Sequence, residues 1–82
     1  RFAYLKATEG GDWRDRTFPI HWDDTKRFGI ARGAYHFFTF CRPGADQARN
    51  FIEYVPVDET ALPMALDLEF GGNCARVPTK DE

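Results

Sequence analysis

Gly33-Ala34-Tyr35-His36-Phe37-Phe38-Thr39-Phe40 is a nearly continuous bulky run, the pattern of a strand covered on both faces. Cys41-Arg42-Pro43-Gly44 ends it, since proline and glycine interrupt regular pairing. Immediately upstream, Phe18, Trp22, Thr25 and Phe28 recur at helical spacing. Asp15 or Thr17 is placed to cap such a helix, and Gly29 to end it in the left-handed conformation. Further upstream, Phe2 to Ala7 reads as a strand running into a loop at Thr8-Glu9-Gly10-Gly11-Asp12. Downstream, Ala45, Ala48, Ile52 and Val55 form a second helical stripe stopped by Pro56, and Leu62 to Phe70 reads as a third strand. The order strand, helix, strand, helix, strand predicts an α/β fold with right-handed crossovers and a parallel sheet. Three such strands suit a sector of a barrel or of a doubly wound sheet.

Composition narrows the function classes. The 82 residues are 43% hydrophobic, 16% aromatic and 29% charged, too apolar for a disordered chain and enough for one small domain at most. Eleven basic against 13 acidic residues leave a net charge of -2, which speaks against a nucleic-acid surface. Acidity gathers late: residues 1–50 carry a local +3 and residues 51–82 a local -5. No apolar run approaches the roughly 18 to 20 residues of a membrane span, and the first residues lack the pattern of a signal peptide.

In an α/β sheet, ligands bind beyond the carboxyl ends of the strands. The segment there with most chemistry is Leu66-Asp67-Leu68-Glu69-Phe70. Residues two apart on a strand share a face, with Cα atoms roughly 6.6 Å apart, so Asp67 and Glu69 are expected on one pocket wall. Two carboxylates that close cannot both ionise freely, and the one whose pKa rises can serve as a general acid. The pairing suits glycoside hydrolysis of either stereochemical class. An exposed strand end or a divalent-cation site would use the same residues. By alternation Tyr35, Phe37 and Thr39 share a face, as do Ala65, Asp67 and Glu69, and Lys6 shares parity with Tyr4 and Thr8.

Four blocks then stand out together: Tyr4-Leu5-Lys6-Ala7-Thr8-Glu9-Gly10, Arg32-Gly33-Ala34-Tyr35-His36-Phe37-Phe38, Gln47-Ala48-Arg49-Asn50-Phe51 and Leu66-Asp67-Leu68-Glu69-Phe70. In order and spacing they resemble glycoside hydrolase family 25, the Chalaropsis-type muramidases. The resemblance covers nearly the whole chain and implies a β/α TIM-like barrel, of which residues 1–82 would be strands two to four with two helices. It implies cleavage of the β-1,4 bond after N-acetylmuramic acid in peptidoglycan glycan strands, with no metal or other cofactor. Carried over by position, Glu69 matches the catalytic acid/base. Asp67 matches the partner that steadies the substrate's acetamido group as it attacks the anomeric carbon. Glu9 falls on an acidic position after the first strand here, and Tyr35 and Phe37 on an aromatic segment lining the sugar cleft. Lys6 is expected either as a counter-charge to Asp67 or as a lysine snorkelling at the barrel end. Trp13 can stack on a sugar ring or pack at the helix entry.

The sequence also departs from that pattern. The family's aspartate at the end of its first strand, and the acids and aromatics of its second half, have no counterpart in these 82 residues. Residues 1–82 are therefore expected to be a partial catalytic domain, and an inactive glycan-binding or structural module is the alternative function. Open sheet edges in such a piece would invite self-association. Arg16 stands where the family often has proline, and Pro19 lies early in the helix, so the helix start is expected to shift.

Cys41 and Cys74 lie just beyond what should be neighbouring strands, as a disulfide or as two thiols. A bridge would stabilise by roughly 3 to 4 kcal/mol in the chain-entropy model and point to an extracellular or periplasmic protein. The cysteines with His36 match no zinc pattern. His36 is expected to face the helices as a hydrogen-bonded core residue, His21 to face solvent, Trp22 to be core, and Gly71-Gly72-Asn73 to form a turn. A flavodoxin-like phosphate site is disfavoured, because Glu9-Gly10-Gly11-Asp12 would repel phosphate.

Overall fold

The computed structural model describes residues 2–69. Strand β1 (Phe2–Glu9) is followed by a two-residue strand β2 (Trp13–Arg14), helix α1 (Phe18–Arg27), strand β3 (Ala31–Phe37), helix α2 (Gly44–Tyr54) and strand β4 (Ala65–Asp67). The sheet order is β2-β1-β3-β4. The three strands expected from the sequence pair in parallel, and β2 folds back antiparallel to β1. β2 was not expected. Its signal is the pair Gly10-Gly11, with Gly10 at φ +59°, inside the three-residue connection Gly10-Gly11-Asp12 between the paired Glu9 and Trp13.

Helix α1 starts directly after Thr17, one of its two expected caps, so Pro19 does not shift the start, and both ends are chemically marked. Asp15 Oδ1 accepts from both the backbone N–H and the hydroxyl of Thr17, at 2.8 and 2.7 Å. Pro19 sits in the first turn, where its missing N–H costs nothing. At the other end Gly29, at φ +73°, donates to Lys26 O, and Ile30 donates to Thr25 O, the paired bonds of a Schellman stop. Phe18 and Trp22 are buried as expected, whereas Phe28 is exposed.

The core lies between the sheet and the two helices, with Ala7, Phe18, Trp22, Ala34, Phe51 and Val55 at its centre. Helix α2 corrects its expected face. Ala45 and Ala48 are exposed and Ile52 is 65% exposed, while Gln47, Asn50 and Phe51 are buried. The polar pair turns inward because the strand-end loops present backbone groups that need partners.

Ala7 and Thr8 interrupt the ladder between β1 and β3. Lys6 is opposite Tyr35 but Thr8 is opposite His36, so Ala7 is the extra residue of a bulge. The bulge overturns the simple parity reading. Thr8 does not share a face with Lys6; it is fully buried on the helix side, and its hydroxyl lies 2.7 Å from His36 Nδ1. Glu9 takes the place beside Lys6. Thr39 also leaves the expected series, since β3 ends at Phe37 and Gln47 takes both the N–H and C=O of Thr39. The third strand is shorter than Leu62 to Phe70, with Leu62 instead donating its N–H to Arg32 O.

Arg32 is 2% exposed, the buried cation among the described residues. Its guanidinium lies 3.8 Å from the Trp22 ring centroid, donates to Trp22 O at 2.9 Å, and pairs with Asp58 at 3.0 Å. Asp58 also accepts from Thr60 Oγ1, Thr60 N and Lys26 Nζ. These bonds, the Thr60 hydroxyl foremost, hold its carboxyl far below the usual carboxylate range. Asp15 is lowered in the same way, chiefly by the Thr17 hydroxyl. A carboxyl whose pKa is depressed on folding stabilises the fold above its unfolded value of about 3.9, and that stability is lost as pH falls toward the folded value. Thermal melts of the full natural chain should therefore hold steady down to about pH 5 and fall steeply below about pH 4. Asp58→Asn should flatten that acid limb; an unchanged limb would remove Asp58 from the account.

Candidate active site

The register of the four strands sets the site. Trp13 is opposite Glu9, Glu9 opposite Phe37, and Phe37 opposite Asp67, so one row at the carboxyl end of the parallel strands carries all four residues. Laterally paired residues point to one face. The adjoining row, Arg14, Thr8, His36 and Leu66, belongs to the opposite face, where His36 meets α2. Without the bulge at Ala7, Glu9 would not stand in the first row.

Lys6 lies within this row's reach. Its Nζ is 2.6 Å from Glu9 Oε1, 4.9 Å from the Trp13 ring centroid and 5.1 Å from that of Phe37. The described ion pair of Lys6 is thus with Glu9 rather than with Asp67, which corrects the counter-charge expectation. Both rings attract the ammonium by their quadrupoles. Trp13 is 46% exposed and Lys6, Tyr35 and Phe37 are half-buried, so a flat aromatic and polar surface faces outward.

Tyr35 and Asp67, with Tyr4, Ala65 and Leu66, line a shallow cavity of about 300 Å³. Gly33 lies against one of these walls: a side chain there would meet the ring carbons of Tyr4, whose hydroxyl donates to Pro63 O at 2.7 Å. A larger cavity of about 430 Å³ lies on the helix side, between Phe38, Phe51, Ile52 and Leu66, and is almost wholly apolar. None of its described lining residues is a carboxylate.

Glu69 lies two residues past Asp67, exposed at the end of the described chain. A hydrogen bond between the two carboxyl groups pushes the Glu69 pKa up. The negative charge of Asp67 adds to this, and a small loss of hydration adds further. The Lys6 charge opposes the shift. Of the two carboxyls, Glu69 is thus the one whose proton is held more tightly than in a free glutamate.

His36 is a buried structural residue, as expected. Gln47 Nε2 donates to Thr39 O and Arg42 O, which orients its amide so that Oε1 accepts from Thr39 N–H and from His36 Nε2 at 2.8 Å. That network assigns the ring proton to Nε2 and leaves Nδ1 to accept from Thr8. His21 is exposed and Trp22 buried, also as expected. Cys41 lies past β3; its expected partner Cys74, with Asn73 and Gly71-Gly72, lies outside the described residues. Among the described residues no group of three or more His, Cys, Asp or Glu is arranged to hold a metal, and no helix is long and apolar enough to cross a membrane.

The family model for Glycosyl hydrolases family 25 matches residues 1–82, the whole of the chain. The chain belongs to glycosyl hydrolase family 25. A solved family 25 glycosyl hydrolase from Bacillus anthracis is 43% identical, superposes with a TM-score of 0.81, and is matched over 84% of this chain and 32% of its own. A muramidase from Acremonium alcalophilum is 39% identical with a TM-score of 0.79, over 92% of this chain and 38% of its own. Lysozyme M1 of Streptomyces globisporus is 37% identical over 83% of this chain and 24% of its length. This family 25 chain thus spans about a quarter of the length of the curated relatives it matches. Asn50 and Gln47 are the family 25 residues here whose importance composition and periodicity did not flag, because buried amides carry no periodic signal.

Proposed function

We propose that this chain carries the acid/base pair of a muramidase, and that the protein containing it hydrolyses the β-1,4 bond between N-acetylmuramic acid and N-acetylglucosamine in peptidoglycan. The observation that carries the reading is the placement of Glu69 beside Asp67, with a hydrogen bond between the two carboxyl groups that raises the Glu69 pKa. A carboxyl raised above its usual range can protonate the glycosidic oxygen as the leaving sugar departs, then take a proton from the incoming water. The direct hydrogen bond holds the carboxyls closer than the roughly 5 Å that separates an acid from a carboxylate nucleophile in retaining enzymes. Asp67 is therefore read as the group that accepts the substrate's acetamido N–H while the acetamido oxygen attacks the anomeric carbon.

The row of Trp13, Glu9 and Phe37, with Lys6 and Tyr35 beside it, forms the sugar-binding wall. Aromatic faces suit the C–H faces of sugar rings, and the Lys6–Glu9 pair offers polar atoms to hydroxyl groups. No step in this scheme calls for a metal or other cofactor.

The same reading makes residues 1–82 part of one catalytic domain, with β1, β3 and β4 as three neighbouring strands of a β/α TIM-like barrel and α1 and α2 on its outer layer. It pairs Cys41 with Cys74 across the upper rim, places the protein in the extracellular or periplasmic space where its substrate lies, and assigns self-association of the isolated piece to the outer edges of β1 and β4.

Mass spectrometry of purified peptidoglycan incubated with the full natural chain tests this. Fragments ending in reducing N-acetylmuramic acid are the expected products. Retention of the glycan with no fragments released would replace the enzyme by a glycan-binding module.

A further inference from the structure

Asn50 directs all three of its described side-chain hydrogen bonds to one distant segment. It is 3% exposed on α2. Its Oδ1 accepts from Arg14 Nε at 2.8 Å, and its Nδ2 donates to Gly10 O and Trp13 O, each at 3.2 Å. All three partners lie in Gly10–Arg14, the turn and short strand that carry Trp13 into the row with Glu9, Phe37 and Asp67. Gly10 also donates its N–H to Phe37 O at 3.2 Å, so the turn is held from both β3 and α2.

The rest of the hairpin cannot hold itself. β2 is two residues long, and a pair of such short strands is marginal in water without packing. Trp13 is half-exposed, and its described ring contact is the Lys6 ammonium, so little packing fixes it from its own side of the sheet. Arg14 adds an outer clasp, lying 5.3 Å from the Tyr54 ring centroid and 3.3 Å from Glu53. The clasp is solvent-exposed, where such pairs contribute little. The buried amide is the tie from α2 that, with the Gly10–Phe37 bond from β3, sets the position of the turn.

We propose that Asn50 is a positioning residue for saccharide binding: without touching the substrate, it fixes the Gly10–Arg14 turn and thereby the sugar-facing position of Trp13. The proposal rests on the muramidase reading only for its kinetic readout. Its structural readout is independent of activity.

In the full natural chain labelled with 5-fluorotryptophan, Asn50→Asp keeps the side-chain size and the acceptor for Arg14 but removes both donors. The ¹⁹F resonance of Trp13, assigned with Trp13→Phe, should shift or broaden while that of buried Trp22 stays in place. On peptidoglycan fragments, KM should rise roughly tenfold, with kcat changed by less than about twofold, because a misplaced binding group costs affinity rather than proton transfer. In a Trp13→Ala background the same substitution should change KM by less than about twofold.

An unmoved Trp13 resonance overturns the proposal, as does an Asn50→Asp effect on KM of the same size with and without Trp13. If Asn50→Asp also moves Trp22, the fold itself has been disturbed, and Arg14→Met becomes the deciding variant. It must move the Trp13 resonance alone and raise KM by about threefold, and failure to do so overturns the proposal. Absence of hydrolysis in the unmodified chain would sink the muramidase reading while leaving the fluorine result to decide the role of Asn50.

Discussion

Glu69→Gln in the full natural chain is expected to reduce turnover by roughly 10²- to 10⁴-fold, the range lost when a positioned general acid is removed. Glutamine keeps the size and can still donate a hydrogen bond to Asp67, but it has no proton to give to the leaving oxygen. KM should change little, since the proposed role of Glu69 lies in the transition state rather than in binding. Thermal stability should hold or rise. Ionising Glu69 beside Asp67 opposes folding as pH climbs past the usual carboxylate range, and glutamine removes that penalty. The pH–rate profile gives a finer test through two neighbours of opposite effect. Asp67→Asn removes the chief cause of the raised pKa, so the basic limb should move to lower pH. Lys6→Met removes the opposing charge, so the limb should move to higher pH. Shifts in the same direction, or a Glu69→Gln variant that still turns over normally, would take the proton-donor role from Glu69.

Gln47→Leu should cost about 3 to 5 kcal/mol of folding stability, read from urea unfolding of the full natural chain. Gln47 is 1% exposed and joins His36, Thr39 and Arg42 through four hydrogen bonds. Leucine fills a similar volume but leaves a buried imidazole N–H and several loop backbone groups without partners, each costing about 1 to 3 kcal/mol where water cannot reach. Part of that is recovered, because the Thr39–Arg42 loop lies at the rim and can hydrate. Set against a total stability of about 5 to 15 kcal/mol, the loss would leave the fold marginal. A loss below about 1 kcal/mol would mean that the loop rearranges and that the network is dispensable.

Periodicity made the outline legible. Phe18 and Trp22 at helical spacing, with Gly29 behind them, marked both the buried face and the end of α1. The bulky run around Tyr35 marked the central strand, and alternation placed Asp67 on the face of Phe37. Helix α2 misled because hydrophobicity was taken as the sign of burial. Ala48 and Ile52 lie on the apolar groove, while Gln47 and Asn50 face inward to satisfy the loops. That inversion depends on backbone acceptors that hydrophobic periodicity does not register, the Arg42 carbonyl 5 residues from Gln47 and the Gly10 carbonyl 40 residues from Asn50, the latter outside any local window. The Lys6–Glu9 pairing was hidden for a different reason. Three residues apart on a regular strand they would point to opposite faces, and nothing in the type of Ala7 announces that the strand is irregular there.

The interruption at Ala7 also bears on how relatives of this chain should be compared. Pairing resumes with Thr8 opposite His36, so the ladder on both sides would keep its partners if that one residue were missing. A homologue one residue shorter here would align correctly only with a gap placed at Ala7. Counting straight through from Lys6 would exchange a buried hydroxyl for the acidic residue that stands between Trp13 and Phe37, and an unbroken alignment would then attribute variation at one position to selection acting on the other.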